Sequence, residues 1–334
     1  MMKVLVTAVG GVLGQSVVKS LRLSAGRYEL HGSDMQNGIG AMFVDHFHHL
    51  PPAFPYGPYL QALGTLCDRH HIAAVIPSSE AEIRSLCLLP AHPMLPCGAR
   101  IVSQPPAVIE TLGDKLKCFQ SLVGRVPLAD FADAQDRTVA NSFVAKHSFP
   151  LCMKERISSG RRGVLIIKDA ADFDREWPKF KQPLLQALID GDDKEYSVGV
   201  FVHGCEVRLI SYRRRLDELG CSWFAELDQP AAVLAYCREV ALAAKVRGSI
   251  NVQLRLSKSG PLMLEINPRF SSLASARAAC GFNDVEWSVL QALGHELLPC
   301  PATPATFRYQ RYIAEALDFG EGLHVPKAWA PRMK

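Results

Sequence analysis

Three side chains bearing amide or carboxylate oxygens stand close together in residues 247–277, RGSINVQLRLSKSGPLMLEINPRFSSLASAR. Gln253 lies on one apolar run, NVQLRL. Glu265 and Asn267 lie on a second, PLMLEIN, and the turn Ser-Lys-Ser-Gly-Pro separates the two runs. This pattern predicts a β-hairpin. Residues two apart on a strand face the same side, so Glu265 and Asn267 project together and the hairpin can bring Gln253 beside them. Hard oxygen ligands of low total charge suit Mg²⁺ shared with a phosphate tail. Arg269, two residues beyond Asn267, can fork onto a phosphate or a carboxylate. For any one of these residues alone, a polar-faced edge hairpin is the competing reading.

A second group surrounds Lys154. It ends an apolar strand and faces the loop Ser158-Ser159-Gly160-Arg161-Arg162-Gly163. A strand-terminal lysine beside a Ser/Gly loop is one way to cover a triphosphate, because backbone N–H groups and cations meet the oxygens. The loop is not a Walker A motif, since GxxxxGK[ST] is absent. The apolar segment that follows, LLQALIDGDDKEY, can offer backbone groups and a flat wall to adenine. Glu195, just past it, can accept from ribose hydroxyls. A strand, an acidic turn and a strand is the bland alternative. The basic clusters Arg161-Arg162 and Arg213-Arg214-Arg215 read equally as phosphate or acid contacts and as solvated faces.

The elements that position these groups follow from hydrophobic periodicity. KVLVTAV (3–9) is a continuous apolar run, as a central parallel strand requires. A helix follows over QSVVKSLRLS, then a strand YELHGSD ending at Asp34, a helix over 59–71, and a strand AAVIPSS (73–79) whose end carries Glu80. This βαβαβ alternation predicts a doubly wound unit up to about residue 110. Beyond it, a short helix starts at Asp114-Lys115. Strand-like runs follow at 141–155, 163–169, 183–189 and 196–202, then in VRLISYRRR and CSWFAEL. Residues 231–246 have helical spacing. His46, His48 and His49 read as a surface turn rather than a metal cluster, because no Cys or acidic partner is spaced to complete one. His70-His71 reads as a helix end.

The turn Gly10-Gly11-Val12-Leu13-Gly14, with Asp34 about twenty residues on, supports a rival reading as a dinucleotide site. The glycines do not complete that fingerprint, and such turns also need glycine for packing alone. The chain has 334 residues, 48% hydrophobic and 21% charged, which is globular composition. A net charge of +4 is too small to imply a nucleic-acid surface. Ten cysteines without a CxxC pair argue against zinc ribbons and disulfide frameworks. No apolar stretch reaches the length of a membrane span. A reduced cytoplasmic protein without membrane or nucleic-acid partners is expected, and a homodimer stays open.

The order of these signals resembles the ATP-grasp superfamily. The hairpin is similar to that of the carbamoyl-phosphate synthase large chain, where the stretch runs NVQF, EINPR or EMNPR, then SRSSALASKATG. Here it reads NVQL, EINPR and SSLASARAACG. The opening also resembles small stand-alone bacterial ATP-grasp ligases. The resemblance implies an α/β fold with a Rossmann-like pre-ATP-grasp domain over 1–110. An ATP-grasp domain of two α+β subdomains follows over 111–300, with a lid over about 141–190, and then a tail over 301–334. It implies that Lys115 and Lys154 contact ATP phosphates, and that Ser158, Ser159, Gly160 and Gly163 close over them. Gln186, Ala187 and Leu188 would form the adenine hinge and Glu195 would hold ribose. Gln253, Glu265 and Asn267 would hold Mg²⁺, with Mn²⁺ as a substitute. Arg269 would bind the reacting phosphate or the acid, beside Lys154. Apart from the resemblance, the pocket for the acid and amine is expected between the first domain's strand ends (Gly11, Glu80) and Arg269, where loops vary freely.

The chain departs from the family in two places. Many members have an acid where Gln253 stands, and a proline usually follows the lysine strand where this chain has Glu155. No glutaminase domain or second ATP-grasp half is present, so carbamoyl-phosphate synthesis itself is not expected. The implied activity is ATP-dependent, ADP-forming carboxylate–amine or carboxylate–thiol ligation through an acylphosphate. The rivals are an NAD(P)-dependent oxidoreductase and a non-catalytic nucleotide-binding regulator.

Overall fold

The N-terminal apolar run forms β1 (Met2–Thr7), whose Val4, Leu5 and Val6 are fully buried. Both faces of a parallel strand are covered, so its apolar residues run without alternation. The computed structural model describes all residues except 25, 37, 159–162, 191–194, 219, 313–314, 318–324 and 326–334. After β1 come α1 (Val12–Arg22), β2 (Tyr28–Asp34), β3 (His46–His49), α2 (Tyr56–His70), β4 (Ala74–Ile76), α3 (Glu80–Leu86) and β5 (Arg100–Ile101). These strands form one parallel sheet in the order β3-β2-β1-β4-β5. A Cβ at Gly14 would stand 2.4 Å from the Ala8 carbonyl oxygen, so α1 can lie against the end of β1 only without a side chain there.

Two expectations for this region change. The strand at 73–79 stops at Ile76, because Ser79 caps α3: its Oγ accepts from the Glu82 N–H, and the Glu82 carboxylate accepts from the Ser79 N–H. Glu80 therefore opens a helix. His46, His48 and His49 are not a surface turn but the edge strand β3, paired in parallel with β2. His70 does end α2, and His71 follows it in the left-handed conformation.

The next elements are α4 (Pro106–Leu112), α5 (Lys115–Leu122), β6 (Phe131–Asp133), α6 (Arg137–His147), β7 (Leu151–Glu155), β8 (Val164–Ile167), α7 (Ala170–Glu176), β9 (Pro183–Ala187) and β10 (Glu195–His203). Then come β11 (Glu206–Leu216), β12 (Ser222–Leu227), α8 (Ala231–Ala243), β13 (Gly248–Ser257), β14 (Gly260–Asn267), α9 (Ala274–Ala279), α10 (Asp284–Leu293) and β15 (Arg308–Gln310). The first half of the 141–155 run is helix, not strand. Asp136 caps α6 by accepting from the Thr138 N–H, and Ala140 and Phe143 are buried at helical spacing.

The chain divides into two compact units. One comprises Met1–Pro105 with Arg269–Pro304 and Gln310–Lys334, and the other Pro106–Pro268 with Ala305–Tyr309. The division differs from the expected boundary near 300: α9 and α10 belong with the first unit. There Ala274, Val285 and Val289 share a core with Val17 and Val18 of α1, and the Asn283 amide donates to the Ser20 carbonyl. In the second unit, sheet β6-β9-β7-β8 accompanies the sheet β14-β13-β10-β11-β12-β15, antiparallel from β14 to β12. Residues of α5, α8, β10, β13 and β14 fill the core behind the latter.

Candidate active site

The hairpin has the predicted register. Gln253 pairs with Glu265 and Asn251 with Asn267, and a bulge follows Gln253. Val252, Leu254 and Ile266 alternate with these residues and enter the core. On the polar face the Asn267 amide donates to Glu265 Oε1 at 3.1 Å. Asn251, absent from the predicted set, is fully buried beside them, and its Oδ1 accepts from Ser197 Oγ at 2.8 Å. It lies two residues before Gln253, so the same period-two argument identifies it.

Two lysines converge on this hairpin within the second unit. Lys115 begins α5, whose cap Asp114 accepts from the Leu116 N–H and also receives the Arg156 guanidinium at 2.7 and 3.2 Å. That ion pair pins the start of α5 to the end of β7. Lys115 Nζ donates to Ser158 Oγ at 3.0 Å and to the Ser158 carbonyl at 3.2 Å, and lies 3.8 Å from Glu265 Oε2. Lys154 is only 4% exposed, and its Nζ donates to Gln186 Oε1 at 2.6 Å and to the Leu264 carbonyl at 3.3 Å. Burial pushes its pKa below the ordinary lysine value, with the Glu265 charge opposing.

Glu155 holds the segment behind the lysine strand. Its carboxylate accepts from the Lys181 and Gln182 N–H groups at 2.7 and 3.0 Å. Its own N–H donates to the Gly163 carbonyl, and Gly163 has a positive φ. Ser159, Gly160, Arg161 and Arg162 lie outside the described residues. Gln186 and Ala187 end β9, with the Gln186 side chain buried and committed to Lys154, and Leu188 is exposed beyond them.

Glu195, at the start of β10, accepts from Arg214 at 2.8 Å, and the same guanidinium donates to Gln253 Oε1 at 2.6 Å. Arg214 is buried, whereas Arg213 pairs with Glu226 and Arg215 covers the Phe224 ring. Alternation along β11 separates the middle arginine from its neighbours, a signal that reading the triplet as one basic cluster hides.

The donor chemistry tests the proposed magnesium site. Glu265, with its side chain 22% exposed, offers a carboxylate beside the amide of Asn267, and this oxygen-rich pair fits a hard divalent cation. Gln253 differs: its oxygen faces a guanidinium, which links it to Glu195.

In the first unit, Arg269 Nη2 donates to Glu80 Oε1 at 3.1 Å and its Nη1 to the Phe270 carbonyl. Its guanidinium therefore rests on Glu80, at the first turn of α3. Gly11 caps α1 without a side-chain hydrogen bond. Asp34 accepts from the Gly10 N–H at 2.9 Å and from the Met35 N–H at 2.7 Å. Its carboxylate thus occupies a backbone donor that a dinucleotide phosphate would need, which counts against the oxidoreductase reading.

Residues 179–314 match the family model described as ATP-grasp in the biosynthetic pathway with Ter operon. The chain is 26% identical over 191 residues to the carbamoyl phosphate synthase large chain of Acidobacterium capsulatum, a match covering 52% of this chain and 17% of that one. It is 24% identical over 220 residues to the large chain from Thermus thermophilus, covering 60% of this chain and 21% of the relative. It therefore matches about a fifth of the length of these relatives. Among solved structures, N5-carboxyaminoimidazole ribonucleotide synthetase in complex with ADP superposes with a TM-score of 0.72 at 15% identity, covering 90% of this chain and 79% of that one. The biotin carboxylase domain of Hydrogenobacter thermophilus 2-oxoglutarate carboxylase gives 0.71 at 16% identity, covering 89% and 71%. The chain has an ATP-grasp fold. Its sequence resembles the ATP-grasp unit of carbamoyl phosphate synthase large chains.

No helix among the described residues is long and apolar enough to cross a membrane.

Proposed function

We propose that this chain is an ADP-forming ligase that joins a carboxylic acid to an amine, or to a thiol, at the expense of ATP. The carrying observation is the convergence of Lys115 and Lys154, from α5 and β7, on the Glu265–Asn267 pair of β14. Cations beside oxygen ligands, with no obvious nucleophile, suit phosphoryl transfer, where positioning and electrostatics do most of the work.

In this reading the substrate carboxylate oxygen attacks the γ-phosphorus and the bond to the β-phosphate oxygen breaks, which releases ADP and leaves an acylphosphate. The amine nitrogen then attacks the acyl carbon, the C–O bond breaks, and phosphate leaves as the amine loses a proton. Lys115 and Lys154 offset negative charge on the phosphates. Glu265 and Asn267 would hold Mg²⁺, which would supply charge neutralisation at the transferring group. Gln253 stands on the same hairpin, where Arg214 links it to Glu195. The carbonyls and apolar wall of Gln186, Ala187 and Leu188 receive adenine, and Glu195 receives ribose. Ser158 and Gly163 would meet the phosphates, while Ser159 and Gly160 lie outside the described residues. Residues about 141–190 would form the lid, and residues 1–110 would serve as the pre-ATP-grasp domain. Gly11, Glu80 and Arg269 bind the acid and amine, Arg269 exchanging Glu80 for a substrate oxyanion. A biosynthetic role fits the family description, and the reading places the chain in the cytoplasm.

The test is a screen for ADP formation over amino acids, sugar acids and peptides as acid and amine. ADP released only when both partners are present supports the reading. NADH turnover without any ADP formation would replace it with the oxidoreductase reading.

A further inference from the structure

The spacing of four histidines and a glutamate gathers them on one face of the parallel sheet. Glu29 and His31 are two apart on β2, and His46 and His48 are two apart on β3. The register sets His31 opposite His46 and Ser33 opposite His48, so all four side chains share a face. α2 packs over that face, and its last residue, His70, reaches the same place: its ring centroid is 4.5 Å from His48 and 5.3 Å from His31.

The hydrogen bonding has a direction. His31 is 1% exposed, and its Nε2 lies 3.3 Å from Glu29 Oε1. A carboxylate can only accept, so Nε2 carries the hydrogen and the neutral ring leaves Nδ1 with a bare lone pair. That Nδ1 lies 2.9 Å from His48 Nε2. The ligand atoms of His31, His48 and His70 all fall within 4.8 Å of one another. Tetrahedral zinc with bonds of about 2.0–2.1 Å spaces its ligands roughly 3.3 Å apart, so small side-chain rotations close the set. Glu29, which also lies 3.2 Å from His46 Nε2, takes the place that an outer carboxylate takes behind a metal-bound histidine, fixing its tautomer and raising its basicity.

We propose that His31, His48 and His70 form a binding site for a divalent transition-metal ion of the zinc class, oriented by Glu29 and separate in residues and chemistry from the Glu265–Asn267 site. Three imidazoles suit zinc, copper or nickel and do not suit magnesium. His48 and His70 line an open groove with Gln61, Thr65 and Arg69. The three nitrogens leave a fourth position for water or an incoming ligand.

The full chain, without a polyhistidine tag and stripped with chelator, would be titrated with Zn²⁺ in excess Mg²⁺. One Zn²⁺ per chain is expected. Glu29→Gln should weaken binding about 10–100-fold, and His48→Gln and His70→Gln by more, whereas Glu265→Gln should not change it. Co²⁺ on the unaltered protein should give the intense visible absorption of a four-coordinate nitrogen site, a readout that stands even if a variant fails to fold. Absence of Zn²⁺ binding, a weak six-coordinate Co²⁺ spectrum, or unchanged affinity in folded His48→Gln and His70→Gln would overturn the proposal.

Discussion

Lys154→Met separates a functional lysine from a structural one. Methionine keeps the length and fills the buried site that alanine would leave hollow. If the ammonium meets the β- or γ-phosphate, its loss removes a charged contact of about 1.5–3 kcal/mol, which is roughly a 10- to 150-fold weaker Kd for ATP. AMP lacks those phosphates and should bind as before. The free protein should scarcely suffer. Removing a buried ammonium relieves a desolvation cost of several kcal/mol, while Gln186 Oε1 and the Leu264 carbonyl each lose a donor at about 1–3 kcal/mol. These terms oppose and nearly cancel. pH tells them apart. Burial lowers the folded pKa of Lys154 below 10.5, so between the two values the unfolded chain binds more protons and wild-type stability rises with pH. The methionine variant lacks that rise. Its stability relative to wild type is therefore most favourable below the folded pKa and declines as pH climbs toward 10.5. Calorimetric titration with ATP–Mg²⁺ and with AMP, and melting across pH, measure both effects. Equal loss of affinity for the two nucleotides would refute the phosphate assignment.

Glu265→Gln and Asn267→Ala should melt near wild type, because both side chains lie on the polar face rather than in the core, yet abolish Mg²⁺-dependent turnover; unchanged turnover removes the metal assignment. Arg214→Met breaks a mostly buried bridge to Glu195 and Gln253 and should cost about 3 kcal/mol in urea denaturation. Combining it with Glu195→Gln should cost less than the sum of the two, and strict additivity would deny the coupling. Hydrogen exchange in residues 156–163 should slow when ATP–Mg²⁺ binds, while Val252 and Leu264 exchange slowly throughout. Full protection of 156–163 in the free protein would end the lid reading.

Much of the fold was legible because its signals are local. The unbroken KVLVTAV run, the Ser-Lys-Ser-Gly-Pro turn and the period-two placement of Glu265 and Asn267 need no distant partner to interpret. The misreadings occur where tertiary context or capping decides. Residues 141–147 look like strand until Asp136 is counted as a helix cap, and AAVIPSS looks like one strand until Ser79 and Glu82 are read as a capping box. The placement of α9 and α10 in the first unit depends on burial against α1, which no local pattern encodes. The site shows the same division. Lys154, Glu265 and Asn267 could be named from type and spacing, and Lys115 only from the resemblance to ATP-grasp proteins. The Arg214 bridge and the His31–His48–His70 cluster arise from strand pairing between segments distant in sequence.

The most direct test of the central claim is thermal melting of the full chain with ATP–Mg²⁺ and, separately, with NADH. Binding to the folded state raises the melting temperature by mass action. The account predicts a rise with ATP–Mg²⁺ that shrinks in Lys154→Met and Glu265→Gln, and none with NADH. A rise with NADH and none with ATP–Mg²⁺ would contradict it.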